Sequence, residues 1–217
     1  MATMRRLIHL MLSPSGRLAR LMVAEKRVSC DNSHAEDARN PMPVFIDMDG
    51  TRAEGIWAIV DHLESHFPER PLAPEDPAER RASLRWMDWA MGPFHEQVTQ
   101  RIVYEKAGQR FTGAPARRAP DMNVIRSGRE ELKLALAAIG RALEISGNLS
   151  GKAPALGDLA VAAHLSALDY FGEVPWSEFA PASEWYVRMK SRPSFRSLLA
   201  DRVPGQPPVC HYAELDY

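Results

Sequence analysis

The chain has 217 residues, of which 45% are hydrophobic and 25% are charged. This is the composition of an ordinary globular protein and excludes a disordered chain. Its 27 basic and 28 acidic residues nearly cancel, so no overall charge recruits nucleic acid or an anionic membrane. No apolar run approaches the roughly 20 residues of a membrane helix. Cys30 and Cys210 form no C-x-x-C pair, which suits a reducing compartment. We therefore expect a cytoplasmic protein that neither binds nucleic acid nor inserts into a membrane.

The first structural unit is a strand followed by a helix. The apolar run Leu7–Leu12 predicts a buried central strand, and 13–16 (SPSG) turns the chain into a helix over 17–26. Ser13 would lie where that helix begins, where backbone N–H groups and the helix dipole favour a thiolate. Arg17 would add positive charge nearby. The alternative is that Ser13 only caps the helix.

The second unit is a hairpin followed by a helix. Residues 43–46 (PVFI) predict a short strand, the Asp49-Gly50 pair predicts a tight turn, and 51–53 would pair back as a second strand. Apolar residues spaced three or four apart then predict an amphipathic helix over 54–67.

These two units resemble the thioredoxin-like domain of glutathione S-transferases. The resemblance implies a cis peptide bond at Pro43 and contact of the Met42 backbone with the cysteinyl part of glutathione. It also implies that Glu54 and Gly55 occupy the positions that hold the γ-glutamyl end, and that Ser13 would activate the thiol in an active enzyme.

Two departures from that family predict a degraded glutathione site. Gly55 stands where the family has a serine, and the 28–41 segment leaves room for at most one or two helical turns where the family places a strand, a helix and a loop. We therefore expect no required cofactor, with glutathione as the candidate ligand of whatever site remains.

The rest of the chain predicts helices. Four prolines within 68–77 indicate a linker. Beyond it, helical patterns run over 78–111, with a kink near Gly92-Pro93, and over 122–146. A loop would cover 112–121. A buried helix near 154–164 keeps Asp158 but has Ala155 at its cap.

The predicted fold is thus an α/β thioredoxin-like domain followed by an all-α transferase domain. The predicted boundaries are 1–68 for the first domain, 69–77 for the linker, 78–203 for the second domain and 204–217 for an extended tail.

The last third of the chain carries a more specific resemblance. The segments AHLSALDY, VPW, SRPSFR, ADRVPG and HYAELDY are similar to those of alphaproteobacterial, glutathione-transferase-like cell-division proteins that bind the tubulin homologue FtsZ. This resemblance implies a regulator of division with weak or no transferase activity, and a homodimer like others of this fold. The alternative is an active transferase that conjugates glutathione to small electrophiles.

Two surfaces are candidates for binding a partner. The first combines arginines with nearby tryptophans, because interfaces favour these residue types; its members are Arg188, Arg192, Arg196, Trp176 and Trp185. Trp185 is also the residue most expected in the core. The second is the acidic and aromatic chain end, formed by Glu214, Leu215, Asp216 and Tyr217, whereas Tyr212 is expected to pack back onto the domain.

His62 and His66 are four residues apart but lack the H-E-x-x-H spacing of a zinc protease. We expect no metal site in this protein.

Overall fold

The computed structural model describes residues 4–35, 42–113 and 119–214. The first domain contains a four-stranded sheet with strand order β2-β1-β3-β4, in which β2 is parallel to β1 and β3 is antiparallel to both β1 and β4. This arrangement confirms the predicted thioredoxin-like domain. Its elements are β1 (Arg6–His9), α1 (Pro14–Glu25), β2 (Asp31–His34), β3 (Val44–Ile46), β4 (Arg52–Glu54) and α2 (Ile56–His66).

The first strand is shorter than the predicted 7–12. It ends at His9 because the chain turns there: the Ser13 N–H donates to the Leu10 carbonyl at 3.3 Å. The Leu12 N–H then donates to the carbonyl of Phe111, in the second domain, at 2.8 Å. The Leu12 N–H, which a longer strand would have paired within the sheet, therefore finds its hydrogen-bond acceptor in the second domain.

The shortened segment between α1 and β3 retains the second strand. β2 pairs with β1 in register, with Leu7 opposite Asn32 and His9 opposite His34. The predicted helical turns fall largely on 36–41, which lie outside the described residues.

The second domain is all-α in its described part, as predicted. Its α-helices are α3 (Pro77–Trp89), α4 (Gln100–Lys106), α5 (Gln109–Thr112), α6 (Met122–Ser146), α7 (Leu156–Tyr170), α8 (Ala180–Lys190) and α9 (Arg196–Leu199). Short 3₁₀ helices cover Trp176–Glu178, Pro193–Phe195 and Cys210–Ala213.

The predicted kink near Gly92-Pro93 takes the form of a π-helix. The segment Ala90–Thr99 joins α3 to α4 and contains Pro93. Proline cannot donate an intrahelical hydrogen bond, so the wider π-helix accommodates Pro93 and the helical path from α3 to α4 continues. The helix ends at Lys106 rather than at the predicted 111, and Thr112 of the predicted loop belongs to α5.

Helix α7 forms the centre of the second domain, and all fifteen of its residues are buried. Ala155 has no hydroxyl to cap it. The Asp158 carboxylate compensates by accepting the backbone N–H groups of Leu149, Ser150 and Ala155 at 2.8–3.1 Å, and it also accepts the Trp185 indole N–H. One carboxylate therefore offsets the lost cap, which would otherwise cost about 1 kcal/mol.

The chain end packs back onto the second domain at Tyr212, as predicted, so the tail is not extended throughout its described part, which ends at 214. The Val209 N–H donates to the Tyr170 carbonyl at 3.1 Å, and Tyr212 is fully buried within the 3₁₀ helix Cys210–Ala213. Burial of the Tyr212 ring outweighs the extended preference of the prolines, because an aromatic side chain buries 150–250 Å².

Candidate functional site

The site that the resemblance indicates lies at the turn between β1 and α1. Ser13 is the residue immediately before α1, but its hydroxyl makes no capping hydrogen bond to the helix backbone. The Ser13 Oγ lies 2.9 Å from the Ser15 Oγ instead. The alternative in which Ser13 serves only as a helix cap is therefore wrong, since its side chain faces a second hydroxyl.

A tyrosine from the second domain joins these serines. Burial raises the pKa of Tyr104 to about 12, against a smaller opposing effect of its hydrogen bond with Ser13. Tyr104 lies on α4, so the hydroxyl cluster (Ser13, Ser15 and Tyr104) spans both domains. Residue spacing gave no signal for Tyr104, because its partner is 91 positions away in the sequence and only the fold brings them together.

Arg17 does not supply charge to this turn. Its side chain is fully buried, and its guanidinium donates to the Met11 carbonyl, the Ser166 hydroxyl and the Tyr212 hydroxyl at 2.8–3.0 Å. It also pairs with Asp201 at 3.1 Å. Arg17 therefore directs its charge toward Asp201 and the second domain rather than toward the Ser13 hydroxyl, contrary to the prediction that it assists a thiolate there.

The backbone that the resemblance assigns to the tripeptide has the implied cis geometry. The Met42–Pro43 peptide bond is cis, as the resemblance implied, and the Pro43 carbonyl accepts the Gly55 N–H at 2.8 Å. Gly55 has a φ of 83°, a left-handed conformation that favours glycine, and open space surrounds the position of a Cβ there. Glu54 is exposed and pairs with Arg52 at 3.1 Å. The loop geometry is thus kept, while the hydroxyl beside it is absent.

The arginines predicted as a partner surface divide into two groups. Arg188 and Arg196 are exposed, and Arg188 donates to the Gly147 carbonyl at 2.7 Å. Arg192 instead makes a two-fold ion pair with Glu25 at 2.7 and 2.8 Å, and Ser194 adds a hydrogen bond to the same carboxylate. The prediction of a free Arg192 is wrong, since its guanidinium joins the second domain to the end of α1.

The two tryptophans predicted near this surface are buried. The Trp185 indole N–H donates to Asp158 and the Trp176 indole N–H donates to Asp169. Both are core residues rather than interface anchors, because each carries its polar atom to a buried carboxylate. At the chain end, Glu214 is exposed, whereas Leu215, Asp216 and Tyr217 lie outside the described residues.

The histidine pair on α2 has structural partners. The His62 Nε2 lies 2.8 Å from the Asp47 carboxylate, and the His62 and His66 rings stack at 4.1 Å between centroids. Within the ranges that the structure describes, no group of three or more histidine, cysteine, aspartate or glutamate side chains could hold a metal ion. Nor is any described helix long and apolar enough to span a membrane.

Solved structures define the class of protein. A glutathione S-transferase from Rhodospirillum rubrum F11 superposes with a TM-score of 0.91 at 36% identity, covering 99% of this chain and 100% of that one. Glutathione S-transferase GstB of Escherichia coli is 24% identical over 66% of this chain and 67% of its own length. The fold is therefore that of the glutathione S-transferases.

The family within this class follows from a closer relative. The chain is 37% identical to FtsZ-localized protein A of Caulobacter vibrioides, and the match covers the full length of both proteins. The structure of FzlA from C. crescentus superposes with a TM-score of 0.90 at 36% identity, covering 99% of this chain and 100% of that one. No protein-family model matches the chain. On this full-length identity, the chain belongs to the family of FtsZ-localized protein A.

Proposed function

We propose that this protein binds FtsZ in the cytoplasm and regulates bacterial cell division through that contact. The observation that carries the proposal is the 37% identity, over the whole of both chains, with a protein named for its localization with FtsZ. A pelleting assay with polymerised FtsZ tests it directly. The protein should sediment with filaments in a saturable way and remain in the supernatant when FtsZ is kept unpolymerised.

Weak or absent glutathione transfer is the second part of the proposal. Three features support it: the Ser13 hydroxyl is engaged with Ser15, the Leu12 N–H at the same turn is used by Phe111, and Gly55 offers no hydroxyl. A polar ligand group left without its partner in a site costs roughly 1–3 kcal/mol, or about 5- to 150-fold in affinity.

An active transferase remains the competing function, favoured by the cis Met42–Pro43 bond and the retained loop. Calorimetry with glutathione and a conjugation assay with a general electrophile separate the two. We expect no turnover above the uncatalysed reaction. Ordinary transferase rates that fall when Ser13→Ala is introduced would establish the enzyme and remove this part of the proposal.

We propose that FtsZ is engaged by the second domain, through the exposed Arg188 and Arg196, and that the acidic chain end engages a second partner. Arg192 is excluded from the test because it holds Glu25. The double variant Arg188→Ala with Arg196→Ala should weaken pelleting at least tenfold. The double variant Arg81→Ala with Arg126→Ala removes two other exposed arginines and should pellet as wild type.

The chain end is tested by a deletion from Ala213 onward, which keeps the buried Tyr212. The deleted chain should fold, pellet with FtsZ, and fail to support division in cells. If the arginine variant and the deletion both behave as wild type in pelleting and in division, neither surface serves the function.

We also propose a homodimer formed through α3 and α6. A shallow groove lined by Arg85, Trp86, Trp89 and Ala138 lies between these helices. Leu84 on α3 and Leu134 on α6 are 41% and 66% exposed, so both helices present apolar side chains that a second copy of the chain would bury. Light scattering should give twice the mass of one chain, and Leu134→Glu should shift it toward one chain. Met122→Glu, an exposed apolar residue at the far end of α6, is the matched control.

A further inference from the structure

Among the described residues, the region between α1 and the second domain contains more positive than negative charge. Arg17 and Arg20 are 0% and 6% exposed, and both bind one oxygen of Asp201, at 3.1 and 2.9 Å. Their other described acceptors are uncharged, namely the hydroxyls of Ser166 and Tyr212 and backbone carbonyls. The nearby Asp169 is paired with Lys190 and lies close to His211. Two buried guanidinium groups thus share one carboxylate, and a buried charge without a counterion is strongly unfavourable.

Unused hydrogen-bonding nitrogens lie beside this excess charge. The Arg20 Nε and both ring nitrogens of His9 are buried, and none has a partner at full hydrogen-bonding distance and angle in the described part of the chain. Buried polar groups of this kind are almost always satisfied in native proteins, so three together indicate a missing partner.

The backbone brings these side chains close together. His9 and His34 face each other across the parallel pair β1 and β2, with their rings 4.9 Å apart and nearly perpendicular. Gly16 lets α1 approach this point, because a Cβ there would lie 3.2 Å from the His9 Cβ and 2.7 Å from the Leu10 carbonyl oxygen. Arg20 follows Gly16 by one helical turn on the same face.

The charges around His9 select the kind of ligand. Burial, and then the positive charge of Arg20, lower the pKa of His9 to about 3, with smaller effects in the same direction from His34 and Arg17 and an opposing one from the backbone of Leu10. Neutral imidazoles beside a guanidinium do not suit a metal cation. Water could satisfy the nitrogens but would leave the charge unbalanced, whereas an anion would accept the Arg20 and His9 N–H groups and balance the charge.

We propose that His9, Arg20 and His34 form a binding site for a small inorganic oxyanion of the phosphate type, which His34 admits from the exposed end of the strand pair. The site is distinct from the hydroxyl cluster at Ser13 and independent of FtsZ binding. The anion would complete the charge balance between α1 and the second domain.

The first experiment uses the wild-type protein and inorganic phosphate, with sodium chloride added to hold ionic strength constant. Histidine ring resonances are followed by nuclear magnetic resonance. The His9 resonances should shift saturably with phosphate, and the pKa of His9 should rise because the anion favours the imidazolium. The stacked His62 and His66 serve as internal controls and should not respond. An unchanged His9 overturns the proposal.

The second experiment is calorimetry with phosphate. Arg20→Gln should weaken binding at least tenfold, while Arg126→Gln, which changes an exposed arginine on α6, should leave it unchanged. Equal binding by Arg20→Gln and wild type overturns the site. The double variant Glu36→Gln with Asp37→Asn is a further test. If phosphate shifts the His9 resonances only in this variant, the proposal is wrong, because a carboxylate of the chain itself would then occupy the site in wild type. The wild-type resonance measurement decides the matter if Arg20→Gln does not fold.

Discussion

Helix α1 meets the second domain through two different kinds of polar contact, which we call the arginine cluster and the hydroxyl cluster. The arginine cluster, formed by Arg17, Arg20, Asp201, Ser166 and Tyr212, is charged, fully buried and heavily hydrogen-bonded. The hydroxyl cluster of Ser13, Ser15 and Tyr104 is neutral and joined by single hydrogen bonds.

The difference indicates which contact holds the domains together. Removing one partner from a buried ion network costs several kcal/mol, whereas a neutral hydrogen bond contributes about 0.5–1.5 kcal/mol. The position that activates a thiol in the resembling enzymes therefore contributes little to stability here. The helical turn that follows it carries the arginine cluster that fixes the domain arrangement.

The largest effect is expected from Asp201→Ala, which leaves Arg17 and Arg20 buried without a carboxylate. We expect a loss of roughly 3–5 kcal/mol in the free energy of unfolding, because both charges become uncompensated. Urea denaturation followed by circular dichroism measures it. Asp88→Ala, which removes an exposed carboxylate from α3, should change stability by less than about 0.5 kcal/mol. Equal losses in the two variants would remove the distinction between the clusters.

The next effect is expected from Tyr212→Phe. The Tyr212 hydroxyl accepts from Arg17 and donates to the Leu198 carbonyl at 2.9 Å, so its loss leaves two buried groups short of a partner. We expect a loss of about 1–3 kcal/mol in the same urea assay. Cys210→Ser, an exposed change in the same 3₁₀ helix, is the control. A Tyr212→Phe variant as stable as wild type would show that the chain end is held by packing alone.

A third charged contact, at the C-terminal end of α1, gives a pH-dependent effect. Burial alone would raise the pKa of Glu25, but hydrogen bonds from Arg192 and Ser194 outweigh it and lower that pKa. A carboxyl whose pKa is lowered by folding stabilises the protein above its unfolded pKa, and this stability is lost as the pH falls through the folded value.

Wild type should therefore lose more stability than Glu25→Gln when the pH is lowered from 7 to well below 4.5, the ordinary pKa of a glutamate. The two proteins should differ by roughly 1–2 kcal/mol at pH 7, since the pair is partly exposed to solvent. Urea unfolding of both proteins across this pH range measures it. Parallel pH profiles would show that the Glu25–Arg192 pair does not contribute to the linkage.

The smallest effects are expected in the hydroxyl cluster. Ser13→Ala and Tyr104→Phe should each cost about 1 kcal/mol or less, because each removes a neutral hydrogen bond. A double-mutant cycle by urea denaturation measures their coupling, which should lie near 0.5 kcal/mol. A coupling energy above about 2 kcal/mol would mean that the hydroxyl cluster contributes as much stability as the arginine cluster, and the distinction between them would be wrong.

The sequence alone determined the fold class and the backbone of the candidate site. The periodicity of 122–146, the proline-rich linker and the Asp49-Gly50 turn are local signals that predicted the order of strands and helices, and the resemblance to glutathione S-transferases then implied a thioredoxin-like domain followed by a helical one. The cis peptide at Pro43 followed from a resemblance carried by a short contiguous stretch, whereas the left-handed conformation of Gly55 appeared only in the structure.

Only the tertiary structure decided which polar side chains meet. Arg17 is near Ser13 in sequence, yet its guanidinium binds Asp201, while Ser13 instead meets Tyr104 from α4. Such pairings depend on how the two domains pack. Residue spacing within one segment cannot predict them, because Tyr104 is 91 positions from Ser13 and Asp201 is 184 positions from Arg17. The same reason applies to Arg192. The sequence predicted an exposed side chain there, but it forms an ion pair with Glu25 at the end of α1.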